Sequence, residues 1–160
     1  MRIMRTLPAV TGRDEFDALI IRTDYDDDKA WETVVSALTQ PWGGGEFEAR
    51  VHLADDPGWA GASADEVLAA VAGDEYLGVL FIADRATMQD DQHALLAVTT
   101  VTREELGDEQ YEVMTEYGRE FRTIPVGVHD IYANLHIANM DFEEFAAAAQ
   151  EDPDGVYRSF

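Results

Sequence analysis

Apolar positions along this chain follow two rhythms: unbroken runs, and stripes spaced three and four residues apart. The run Ala18-Leu19-Ile20-Ile21, bounded by Asp17 and Thr23, predicts a strand buried on both faces, because such a strand has no solvent side for polar residues. Trp31, Val34, Val35 and Leu38 then recur at i, i+3, i+4 and i+7, one stripe of a helix. Asp26, Asp27 and Asp28 crowd its start, where the helix dipole favours negative charge, and Pro41 with Gly43-Gly44-Gly45 ends it. Residues 47–54 alternate, with Phe47, Ala49, Val51 and Leu53 opposite Glu48, Arg50 and His52, the pattern of a half-buried strand. Asp55-Asp56-Pro57-Gly58 has turn chemistry. Ser63 and Glu66 have capping-box spacing ahead of Val67, Leu68 and Val71, which predicts a short helix ending at Gly73.

Tyr76 to Ala83 is the most apolar run and predicts a central strand; Asp84 to Gln92 reads as a polar connection, and Ala94 to Val101 as a further strand. That link is too short for a helical crossover, so the second strand of the pair is expected antiparallel. Over 102–118 the signals compete. Thr102 with Glu105 makes a capping box, Gly107 interrupts, and Tyr111, Val113, Thr115 and Tyr117 alternate; helix is the reading adopted. Phe121 to Pro125 predicts a short strand, and Val128, Ile131, Tyr132 and Leu135 another helical stripe. A last helix starts at Asp141 with Glu144 at its third position and Met140 and Phe145 spaced as a hydrophobic staple. Asn134 and Asn139 are placed to lock a helix–break–helix corner, and the aromatic tail Val156 to Phe160 is expected to dock. The order strand–helix–strand–helix–strand implies right-handed crossovers. The expected fold is a layered α/β domain over 17–160, preceded by an arm at 1–16. Its mixed sheet has about five strands: a parallel βαβαβ core and an antiparallel extension, with C-terminal helices alongside.

Composition narrows the chemistry. There are no cysteines among 160 residues, which excludes disulfides, thiolate metal sites and cysteine nucleophiles. No apolar run approaches the ~20 residues of a membrane span, and MRIMRTLPAV lacks the apolar core of a signal peptide; a cytoplasmic protein is expected. Thirty-three acids face eleven bases, only Lys29 being a lysine, for a net charge of −22. Such a surface repels nucleic acid and anionic lipid. It suits a basic partner, a cation or a DNA-mimic role, and it is more simply the composition of a salt-adapted or GC-rich proteome.

Candidate chemistry gathers at the strand ends. Ligands of open α/β sheets bind beyond the carboxyl ends of parallel strands, and each predicted parallel strand ends in aspartate: Asp24, then Asp55 and Asp56, then Asp84. Were Asp24, Asp55 and Asp84 to converge, hard oxygen ligands would suit Mg²⁺ or Ca²⁺, although no cofactor is required. Arg22 and Arg85, beside the same ends, could neutralise that cluster or hold an anionic group of a ligand. Helix capping and turn formation account for the same aspartates without any ligand. Other motifs fail. Asp24 to Asp28 begins like an EF-hand, but Lys29 stands at the turn glycine and Val35 at the bidentate glutamate. His52, His93, His129 and His136 form no HExxH; Ser36, Ser63 and Ser159 lie in no nucleophile elbow; the Gly43–Gly45 loop follows a helix and is no P-loop. Trp42 and Trp59 fall in predicted loops, where they could anchor a partner or cover the edge of the core.

The stretches LIIRTDYDDDKAWE (19–32), ADDPGW (54–59), VLFIADRATM (79–88), REFRTIP (119–125), NLHIANMDFEEFA (134–146) and DGVYRSF (154–160) together resemble a family of small acidic actinobacterial proteins that carry a domain of unknown function. The resemblance covers most of the chain in order, with NLHIANMDFEEF its most specific part, and it implies kinship without an activity. From the residues themselves, the favoured expectation is a non-enzymatic acidic protein that binds a basic protein, as an immunity or antagonist protein does. Its rival is a metal-dependent enzyme or small-ligand binder that uses the strand-end aspartates.

Overall fold

Ala18–Arg22 forms β1 with every residue buried, as the apolar run Ala18–Ile21 requires, and Arg22 at its end is buried with it. In the computed structural model, which describes residues 7–41, 45, 47–72 and 77–158, the other strands are β2 (Val51–Ala54), β3 (Val79–Ala83), β4 (Leu95–Thr99), β5 (Glu120–Thr123) and β6 (Val156–Tyr157). They make one six-stranded sheet of order β2-β1-β3-β4-β5-β6. β1 pairs in parallel with both β2 and β3, giving the expected parallel core. β4 is antiparallel to β3 and to β5, so it alone runs against the rest. The C-terminal tail does more than dock: β6 adds a sixth strand, parallel to β5, through the register Arg122↔Val156 and Thr123↔Tyr157.

Helix α1 (Asp28–Leu38) is capped by Asp27, whose side chain accepts from the Ala30 amide, and buries Trp31, Val34 and Leu38. α2 (Ala64–Ala70) carries the Ser63–Glu66 capping box. The segment read as a polar connection contains a one-turn helix, α3 (Arg85–Gln89), capped reciprocally by Asp84 and Thr87. Residues 102–118 are helical, as α4 (Arg103–Leu106) and α5 (Asp108–Met114). The break falls at Gly107, whose φ of +85° is open to glycine and strained for other residues. α6 (Pro125–His136) begins on its proline, whose missing N–H costs nothing there. It packs against α1. α7 (Phe142–Glu151) carries the Asp141–Glu144 box, and Asn139 donates to Asn134 at 2.9 Å across the α6–α7 corner.

Two expectations need correction. Of residues 47–54 only Val51–Ala54 forms the strand; Phe47 makes an isolated bridge and is 51% exposed, because β2 is the edge strand and among the described residues no further strand continues the alternation. Trp59 is only 1% exposed and belongs to the core, so it is no surface anchor; the turn Pro57–Trp59 folds it inward. Trp42 lies outside the described residues, as do Gly43, Gly44 and 73–76, which include the predicted start of the third strand. In the arm, Leu7 and Val10 pack against the core.

Candidate functional site

The order β2-β1-β3 puts the carboxyl ends of the three parallel strands side by side on one rim. Arg22, the last residue of β1, is buried to 4% exposure. A buried guanidinium is costly unless it is paired and hydrogen-bonded, and this one has a partner at each of its three nitrogens. Its Nη2 lies 2.7 Å from Asp28 Oδ1, its Nη1 3.4 Å from Asp55 Oδ1, and its Nε donates to the Asp24 carbonyl at 2.8 Å. The plane covers Tyr25 at 4.2 Å and Trp31 at 5.2 Å, and Trp31 Nε1 donates to Asp55 Oδ2 at 3.1 Å. Burial, reinforced by the negative charge of Asp55, pushes the Tyr25 phenol well above its ordinary pKa, so it stays neutral.

A second guanidinium is paired at the same rim. Arg122, from β5, grips Asp84 with two bonds of 2.8 Å. Asp84 also accepts from the Thr87 amide and hydroxyl, each at 3.0 Å, while that hydroxyl reaches the Ala94 carbonyl at 2.9 Å. Burial opposes the Asp84 charge, but the Arg122 hydrogen bond, the Thr87 amide and the guanidinium charge together outweigh it and keep its pKa below the ordinary carboxylate value.

The strand-end residues therefore share a rim without converging. Asp55 belongs to the Arg22 group, Asp24 lends that group its backbone carbonyl, and Asp84 belongs to Arg122. Asp56 caps the turn after β2, accepting from Gly58 N at 2.8 Å. Arg85 is exposed at the first residue of α3 and makes no ion pair among the described residues. No three acids or histidines among the described residues are grouped to hold a metal ion; Asp55 is paired with Arg22 and Asp84 with Arg122. Sequence reasoning missed Arg122. Its only local signal is a lone cation between buried Phe121 and Thr123, which does not say which acid it will meet. His129, 4% exposed on α6, is pushed below its ordinary pKa by burial, partly offset by a hydrogen bond with the Leu38 backbone. It ties α6 to the end of α1.

Concave surface lies at the opposite end of the sheet. A groove of about 570 Å³ opens beside Gly78, which leads into β3, and Thr99, which ends β4. α5 forms one wall and the α6–α7 corner the other, with Val101, Leu106, Met114, Met140 and Phe142 among its lining and Glu109, Asp141 and Glu143 at its polar positions. A hollow of about 310 Å³ shares Gly78, Val101 and Leu135 with it and adds Glu105. Around the same end, Phe16, Phe47 and Ile137, all at least half exposed, border a further hollow of about 450 Å³ against α6.

This is an open, mixed α/β-sheet protein with an ion-paired carboxyl rim and apolar hollows at the other end. Among the described residues no helix is long and apolar enough to cross a membrane. Residues 17–160 match the model of a family described as a domain of unknown function, DUF6924, and the chain belongs to that family. No curated protein matches it.

Proposed function

We propose that this protein is a non-enzymatic interaction protein that binds a basic protein partner through its acidic surface. The observation that carries this reading is where the arginines are spent. Arg22, Arg50, Arg103, Arg119, Arg122 and Arg158 each pair with acids of the same chain. Six of the eleven cations are thus paired within the chain, and 33 acids against 11 bases, 33 − 11 = 22, leave it strongly anionic. A field of that sign steers cationic proteins toward the surface and repels polyanions. At the carboxyl rim, where a small ligand would be expected in this topology, Asp55 and Asp84 are each paired with an arginine of the same chain. The reading takes the protein to be cytoplasmic, since a chain without cysteine has none of the disulfides that small secreted domains use.

The test is capture from a lysate of its own cells at low ionic strength, beside an unrelated acidic protein of equal net charge. The expected result is a basic protein held in stoichiometric amount by this chain alone and released by salt, since screening weakens exposed charge pairs first. Identical captures by the two baits would reduce the acidity to a general surface property and refute the reading.

A further inference from the structure

We infer that the groove between α5 and the α6–α7 corner is the docking site for that partner and receives one face of a basic amphipathic helix; this rests on the reading just given. The groove has two properties that single acids or apolar patches lack. Its floor is apolar and adaptable: Met114 and Met140 lie with Leu106 and Phe142 along its length, and methionine repacks around varied side chains. Its charged positions are of one sign. Glu109, Asp141 and Glu143 line it, Glu105 continues the series in the adjoining hollow, and neither arginine nor lysine lines either one.

Shape selects among cationic ligands. The groove and hollow share Gly78, Val101 and Leu135, so they adjoin and the apolar lining runs from one into the other. A helix presents anchors at i, i+4 and i+7 along ~10 Å of its axis, which adjoining apolar hollows can receive in succession. Val113, 56% exposed at the lip, would meet the helix first. Apolar anchors on the floor, with lysines or arginines against the acidic lip, satisfy both sets of lining residues. A second copy of this chain would bring another −22 to the same place, and a fatty acid would bring its carboxylate to an acidic lip.

The test titrates isotopically labelled protein with three synthetic peptides and follows amide shifts. One is a leucine–lysine amphipathic helix, one has the same composition scrambled, and one is a leucine–glutamate helix. The expected result is binding of the first alone, at least about tenfold tighter than the scramble, with shifts confined to 101–114 and 135–143. Val113→Glu, and separately Glu109→Lys with Glu143→Lys, should each weaken it about tenfold, while Asp26→Lys with Glu32→Lys, an equal charge change on exposed residues at α1, should not. Shifts spread over α1 and α2, or equal binding of the scramble, would overturn the groove while leaving the basic-partner reading intact. So would lysate capture that survives Val113→Glu unchanged. A dimer that Val113→Glu dissociates would overturn it in favour of self-association. Failure of the wild type both to bind any of the three peptides and to capture a basic protein from lysate would sink both readings.

Discussion

Replacing Asp84 with asparagine removes the charge that Arg122 grips while leaving a side chain that still caps α3, since asparagine is as good an N-cap as aspartate. The two 2.8 Å bonds are charge-assisted, and hydrogen bonds to charged groups contribute ~1.5–3 kcal/mol. The side chains of Arg122 and Asp84 are 30% and 28% exposed, so water replaces part of what is lost. The cost should fall between the ~0–1 kcal/mol of surface pairs and the ~3–5 kcal/mol of truncated buried ones, at about 2 kcal/mol. The pH dependence has a definite sign. Asp84 has its pKa lowered in the folded protein, so its contribution is complete above the unfolded aspartate value of ~3.9 and disappears as pH falls through the lower folded value. Urea unfolding of wild type and Asp84→Asn, followed by circular dichroism from pH 7 downward, reads the difference between them, in which the other acids cancel. The gap should be constant to about pH 5 and close below it. Arg122→Met should cost at least as much at pH 7, because it strands a half-buried carboxylate, and adding Asp84→Asn to it should cost little more. Equal stability of wild type and Asp84→Asn at neutral pH, or a gap that ignores pH, would show that this pair does not stabilise the rim.

Two further substitutions test the packing around it. An alanine at Gly127 would place its Cβ 2.3 Å from Thr123 Oγ1 and 2.9 Å from Tyr157 Cδ2, both fully buried side chains. Gly127→Ala should therefore lose about 1–3 kcal/mol by overpacking, seen as a lowered melting temperature that Thr123→Ala partly restores in the double variant. Trp59→Ala should lose about 3–5 kcal/mol as a core truncation, whereas Phe47→Ala, at an exposed site, should stay within ~0.5 kcal/mol; comparable losses in chemical denaturation would contradict the assignment of Trp59 to the core.

What depends on a few neighbouring residues was legible. The run in β1 has no polar face, the stripe in α1 has helical spacing, and the boxes at Ser63–Glu66, Thr102–Glu105 and Asp141–Glu144 all cap helices. α3 escaped because it has one turn and its box uses Thr87 where glutamate or glutamine is the usual signal. β2 was read too long because alternation reports a potential face, and only a neighbouring strand or helix makes that face buried. β6 has two residues, too few to carry any periodicity.

The parallel neighbours and their aspartate tips followed from sequence alone, because alternating strands and helices with right-handed crossovers leave few arrangements. Which cation meets which acid was decided only in three dimensions. Arg122 is 38 residues from Asp84 in the chain and reaches it through the register of β4 between them. The apolar groove arises likewise from how α5 and the α6–α7 corner stand apart above the far end of the sheet. Local periodicity and capping are properties of adjacent residues and can be read along the chain. Charge partners and concave surfaces are set by distances between remote segments, which exist only once the sheet has formed.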